Sequence, residues 1–119
     1  MSESILKNKS FLFAVRIIKL YEYLTNKKKE YVLSRQVLRS GTAVGALIRE
    51  AQNAESKADF IHKLGIAQKE CDETIYWLEL LKETNYLKSK EFESINKEAT
   101  ELLKMIRSSI ITSKKTYNS

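Results

Sequence analysis

Arg39, Glu70 and Glu73 are the side chains whose types and spacing first suggest chemistry. Two carboxylates three residues apart share one helix face, the arrangement of an acid–base pair. If the segments carrying them fold back on one another, the Arg39 guanidinium reaches either carboxylate. With Lys69 close by, it would hold both ionised, which removes the proton-transfer reading. Arg39 then has two readings: an interhelical salt bridge, which we prefer, or a direct phosphate contact. Glu50 is similar, either a partner of Lys57 or Lys63 or an interfacial residue.

The remaining candidates are thinner. Asp59 and His62 form a single D-x-x-H, whereas a di-iron bundle needs several inward carboxylates and usually two histidines, and the chain has one His. Cys71 is the sole cysteine, has no nearby histidine, and reads as a small buried hydrophobe. There is no phosphate-cradling glycine loop and no metal-spaced cysteine cluster. Without a nucleophile–base–orienter set, the expectation is a non-enzyme with no cofactor and no metal.

Charge offers a different chemistry. The 119 residues carry +6, with +4 over residues 1–30 and −1 over residues 57–88. Lys9, Arg16 and Lys19 make one basic stripe, and Arg35, Arg39 and Arg49 another. These are the candidate nucleic-acid contacts, although a basic balance alone is weak support for such a partner. Lys27, Lys28 and Lys29 read as a solvated connection. Trp77, beside Tyr76, could stack on bases, but packing in the core or in a subunit interface is the preferred reading.

These groups must be positioned by helices. The chain has no proline and three glycines, which predicts all-helical structure with short connections in one domain spanning 1–119. The spacing predicts helix 1 from about Ser10 to Leu24, with two apolar stripes: Phe11, Ala14, Ile18 and Tyr21, and Phe13, Ile17, Leu20 and Leu24. Helix 2 starts near Tyr31 or at an N-cap on Ser34 and ends around Asn53, with a seam of Val37, Gly41, Val44, Ile48 and Ala51. Ser56 caps helix 3, whose seam is Phe60, Leu64, Ala67, Cys71, Thr74, Leu78 and Leu81. Asn85 is its left-handed terminus. Ser89 caps helix 4, with a seam from Phe92 to Ser113 and a frayed tail from Lys114.

Glycine inside a helix costs about 1 kcal/mol relative to alanine, so Gly41 and Gly45 need a compensating close approach. If helices 2 and 3 are antiparallel about Glu55, level positions total about 110. That sets Ala43 beside Ala67, Gly41 near Cys71 and Gly45 near Gly65, so helix 3 is the expected partner of both glycines. Lys7, Lys9 and the apolar run that follows imitate a signal peptide, but Arg16 interrupts it and no cleavage site follows. No run is long enough to span a membrane, so a cytoplasmic protein without membrane contact is expected.

Several motifs together are recognisable: Ser34-x-Gln36-x-x-Arg39-Ser40-Gly41-Thr42-x-Val44-Gly45-Ala46, Glu50-Ala51, Lys57-x-Asp59-Phe60-Ile61-x-Lys63-Leu64, and Ala67-x-Lys69-Glu70-x-x-Glu73-Thr74-x-Tyr76-Trp77-Leu78. The chain resembles the 23S rRNA intervening-sequence, or S23, family in these segments and in the length and pattern of the remaining helices. It departs at Ala43 and Leu47, where the family commonly has Ser and Asn. The resemblance implies a left-handed, up-down-up-down antiparallel four-helix bundle that forms ring-like homopentamers. In a related branch it implies an accessory protein that binds nucleic acid and a reverse transcriptase. Two function classes remain open: a homo-oligomeric accessory protein that binds RNA or DNA, and an oligomeric protein-interaction scaffold.

Overall fold

The computed structural model describes the backbone of residues 2–118 and the side chains of residues 5–116. Four helices follow in order: α1 Ser2–Asn26, α2 Leu33–Gln52, α3 Lys57–Glu83 and α4 Ser89–Asn118. Their ion pairs give the directions. Lys9 meets Glu101 and Arg16 meets Glu98, so α1 and α4 are antiparallel; Arg39 meets Glu73 and Lys63 meets Glu50, so α2 and α3 are too. Each helix packs on the next and α1 closes onto α4, while the diagonal pairs α1–α3 and α2–α4 lie farther apart. The bundle measures 51 × 22 × 21 Å, the cross-section of two helices by two at about 10 Å each.

The seams point inward as their spacing requires. Val37, Val44, Ile48 and Ala51 of α2, Leu64 to Leu81 of α3, and Ile95, Ala99, Leu102 and Ile106 of α4 are buried. On α1 only the stripe of Phe13, Ile17 and Leu24 enters the core, extended by Leu6; Phe11 and Ile18 of the other stripe are exposed. Leu6 continues the buried stripe by seven residues, and α1 therefore begins at Ser2 rather than near Ser10. At the other end α4 continues to Asn118, through the stretch expected to fray from Lys114, with Ser113 still buried.

Two helix ends explain the sharp connections. At Asn85 the backbone turns left-handed (φ 67°), while Tyr86 N–H donates to Leu81 O and Asn85 N–H to Lys82 O, the paired bonds of a Schellman motif. Ser56 Oγ accepts from Asp59 N–H at 3.0 Å and caps α3. The start of α2 differs from the sequence expectation. Ser34 is inside the first turn and its hydroxyl donates to Glu30 O. The cap is Glu30, whose carboxylate accepts from Val32, Leu33 and Ser34 N–H at 3.0, 2.9 and 2.7 Å. Burial alone would raise the Glu30 pKa, but these bonds together outweigh it and hold it below the usual carboxylate value.

The glycines also correct an expectation: their partner is α1, not α3. A Cβ on Gly41 would lie 2.8 Å from Ile17 Cγ1, and one on Gly45 would lie 3.3 Å from the Ser10 carbonyl oxygen. Gly65, expected to face Gly45, has nothing within 4 Å of such an atom. The α2–α3 register is offset slightly from expectation, with level pairs totalling 112 (Arg39 and Glu73) to 114 (Ser40 and Thr74).

Candidate functional site

The α2–α3 interface gathers the polar residues singled out in the sequence. Arg39 Nη1 donates to Glu70 Oε1 at 3.1 Å, and Nη2 donates to Glu73. The same Glu73 carboxylate accepts from Trp77 Nε1 at 3.0 Å, and the Trp77 ring meets Tyr76 edge-on at 5.1 Å. Thr74 Oγ1 donates to Ser40 Oγ at 2.9 Å just inside this cluster, both residues fully buried. A planar guanidinium fixed by two carboxylates one turn apart sets the rotation and height of α2 on α3. Near the far end of the interface, Lys63 and Glu50 pair at 3.1 Å. All four carboxylate contacts are spent on cations or the indole, so the arrangement orients helices rather than moving protons.

The six candidate nucleic-acid contacts divide. Lys9 pairs with Glu101, Arg16 with Glu98 and Ser94 Oγ, and Arg39 with Glu70 and Glu73. Their charge is neutralised locally, which weakens each as a phosphate contact. Arg49 lies 5.6 Å over the Phe11 ring. Lys19 and Arg35 have no carboxylate partner among the described residues, nor do Lys27, Lys28 and Lys29, and Lys28 rests 5.9 Å over Tyr23. Lys27, Lys28, Lys29 and Arg35 thus stand together around the α1–α2 turn, in and beside the triplet read from sequence as a plain connection, whereas Lys9, Arg16 and Arg39 of the two stripes are paired.

The outward side of α1 is the feature that the stripes obscured. Ile5, Phe11, Leu12, Ile18 and Tyr23 are all exposed, Phe11 at 53% and Leu12 at 65%. They extend over about 27 Å of one helix, far more than scattered single residues. Lys7 and Lys19 flank them. On the diagonally opposite helix, α3 exposes Asp72, Tyr76 and Glu79.

Cys71 is sealed in the core, donating to Ala99 O at 3.3 Å, and burial, with Asp72 adding to it, pushes its pKa up to about 12. No group of three or more metal-ligating side chains converges among the described residues. None of their helices is long and apolar enough to cross a membrane.

Comparison with known proteins decides the family. The model of the 23S rRNA-intervening sequence protein matches residues 2–108. The chain belongs to this family. A crystal structure of a protein of unknown function from the S23 ribosomal protein family of Bacteroides thetaiotaomicron is 55% identical, with a TM-score of 0.92. The match covers 92% of this chain and 98% of that one. No curated protein matches the chain. The family description names a sequence context rather than a reaction.

Proposed function

We propose that the protein is a non-enzymatic scaffold that works as a homo-oligomer, with a second copy of the chain covering the outward face of α1. The observation that carries this reading is the run of exposed apolar side chains from Ile5 to Tyr23 on a helix whose other stripe already fills the core. Charge supports a second copy as the occupant: Lys7 and Lys19 flank the apolar run, and Asp72 and Glu79 flank Tyr76 on α3 at the opposite corner. Contact between two different faces repeats from subunit to subunit, and such interfaces close into rings when the rotation allows. That agrees with the homopentamers which the family resemblance implies. Leu12→Lys tests the interface. Burying one leucine contributes about 1.5–3 kcal/mol, so the variant should dissociate at roughly tenfold or higher protein concentration than the wild type. An unchanged dissociation curve would remove α1 from the interface.

A second reading, nucleic-acid binding, is favoured by Lys27, Lys28, Lys29 and Arg35, which have no carboxylate partner among the described residues and lie at one end of the bundle. In a ring, this end of each subunit repeats and the fields add. Binding would be to phosphate, with little base readout and a steep salt dependence. An anisotropy titration with mixed RNA and DNA at low and physiological salt tests it. Loss of binding on replacing the three lysines by glutamine supports the reading, and no binding at about 50 mM salt, where phosphate contacts are strongest, overturns it. A reverse transcriptase partner, which the resemblance implies for a related branch, belongs to this second reading.

A further inference from the structure

Backbone strain, unpaired charge and an open aromatic ring coincide in the α1–α2 turn. Lys29 holds a left-handed backbone (φ 56°), and beyond this bend Glu30 N–H donates back to Leu24 O at 3.0 Å. The other left-handed non-glycine residue among those described is Asn85, a type that tolerates the conformation, whereas lysine is strained there. Glycine or asparagine would make the turn at lower cost, so a lysine at this position points to a use for its side chain.

The surroundings indicate what that use is. Lys27, Lys28, Lys29 and Arg35 are all exposed and have no carboxylate partner among the described residues. Glu30, the acid within the turn, does not pair with them: it is 8% exposed, and its oxygens are turned onto Val32, Leu33 and Ser34 N–H. Tyr31 follows, 53% exposed, with no cation or second ring over its face and no hydrogen bond to its hydroxyl among the described residues. Tyr23, about one turn before the triplet, already holds the Lys28 ammonium 5.9 Å above its ring.

We propose that this turn binds an unpaired nucleic-acid strand: a base stacks on the Tyr31 ring, while Lys27, Lys29 and Arg35 neutralise the flanking phosphates. The inference rests on the nucleic-acid reading above and narrows it to single strands. A base offers its face only where the strand is unpaired; inside a duplex the neighbouring pairs cover it. Attraction to phosphate alone favours the opposite order, because a duplex carries more charge per unit length. Stacking accepts every base, so sequence preference stays small. An acidic polypeptide satisfies the cations equally but brings no flat base to Tyr31, which favours the strand.

The test is anisotropy on the full-length protein at about 50 mM salt, where phosphate contacts are strong. The probes are a mixed-sequence RNA strand, the DNA strand of the same sequence, the corresponding DNA duplex and polyglutamate. A single strand should bind at least about tenfold more tightly than the duplex, and Tyr31→Ala should remove most of that difference. Tyr31→Phe keeps the ring and should retain it. Lys29→Gly relieves the left-handed strain, so it should melt no lower than the wild type. It should nevertheless weaken strand binding and reduce the slope of log affinity against log salt by about 0.7, one phosphate contact on a single strand. Tighter binding of the RNA or of the DNA strand supports the site and identifies its source, and equal binding of both supports it for either. Duplex binding as tight as strand binding, or a strand preference that survives Tyr31→Ala, overturns the inference and leaves general phosphate binding standing. An unchanged salt slope in Lys29→Gly overturns the role given to Lys29. Polyglutamate binding as tightly as the strand overturns the inference in favour of an acidic protein partner, and no nucleic-acid binding at all overturns it together with the reading it rests on.

Discussion

Replacing each of the three glycines by alanine separates a helix held at close range from one that merely contains a glycine. At Gly41 the new methyl would sit 2.8, 2.9 and 3.1 Å from Cγ1, Cγ2 and Cδ1 of Ile17. Ile17 is fully buried and β-branched, so neither solvent nor an easy rotamer change offers relief. Overpacking of this kind costs about 1–3 kcal/mol, and the gain in helix propensity returns about 1 kcal/mol, leaving Gly41→Ala destabilised by up to about 2 kcal/mol. At Gly65 nothing lies within 4 Å, so propensity acts alone and alanine should stabilise by about 0.5–1 kcal/mol. Gly45→Ala falls between them, because the Ser10 carbonyl at 3.3 Å belongs to backbone and must shift by a few tenths of an ångström. The assay is urea unfolding at fixed protein concentration, since assembly makes apparent stability concentration-dependent. Ile17→Ala, costing about 2–5 kcal/mol alone, should be partly compensated by Gly41→Ala in the double variant, with a coupling of about 1–3 kcal/mol. Gly41→Ala matching Gly65→Ala in stability, with no coupling to Ile17, would refute the α1–α2 clasp.

Other perturbations follow from single contacts. Glu30→Gln should cost about 1–2 kcal/mol near neutral pH, the range of a lost N-cap. Because the folded pKa of Glu30 is depressed, its contribution is full above the ordinary value of 4.5 and is lost as pH falls through the folded one. Urea midpoints of wild type and Glu30→Gln should therefore converge on acidification, and a constant gap would contradict the cap. Arg39→Gln should cost under about 1 kcal/mol, because the guanidinium is half exposed and solvent screens its pairs. Arg39→Glu adds a third carboxylate between Glu70 and Glu73 and should lower the thermal midpoint further. Cys71, with its pKa pushed up to about 12, should react with a thiol reagent only as fast as the bundle opens, which is measured by labelling across a urea series.

Much of the bundle was legible because its seams are regular. Leu64, Ala67, Cys71, Thr74, Leu78 and Leu81 alternate steps of four and three, and all are buried. Arg39 could be placed against Glu70 and Glu73 because a short turn near Glu55 leaves only one antiparallel register within about a turn. The partner of Gly41 was not legible for the same reason in reverse. Steric need for a close approach says nothing about which neighbour supplies it, and Ile17 is as good a neighbour as Cys71. Glu30 was missed because side-chain caps are sought among Ser, Thr, Asp and Asn just before the helix, whereas Glu30 reaches forward across three residues. The two stripes of α1 looked equivalent, since period alone does not distinguish a face for the core from a face for a partner. The basic stripes lost half their members to carboxylates on neighbouring helices, which spacing within one helix cannot reveal.

The central claim, that the working unit is an assembly built on the outward face of α1, is tested most directly by light scattering of the purified protein at micromolar concentration. The account predicts a mass that is a multiple of 13.8 kDa, and a shift towards 13.8 kDa for Leu12→Lys with helical content unchanged. A wild-type mass of 13.8 kDa across that concentration range would contradict it.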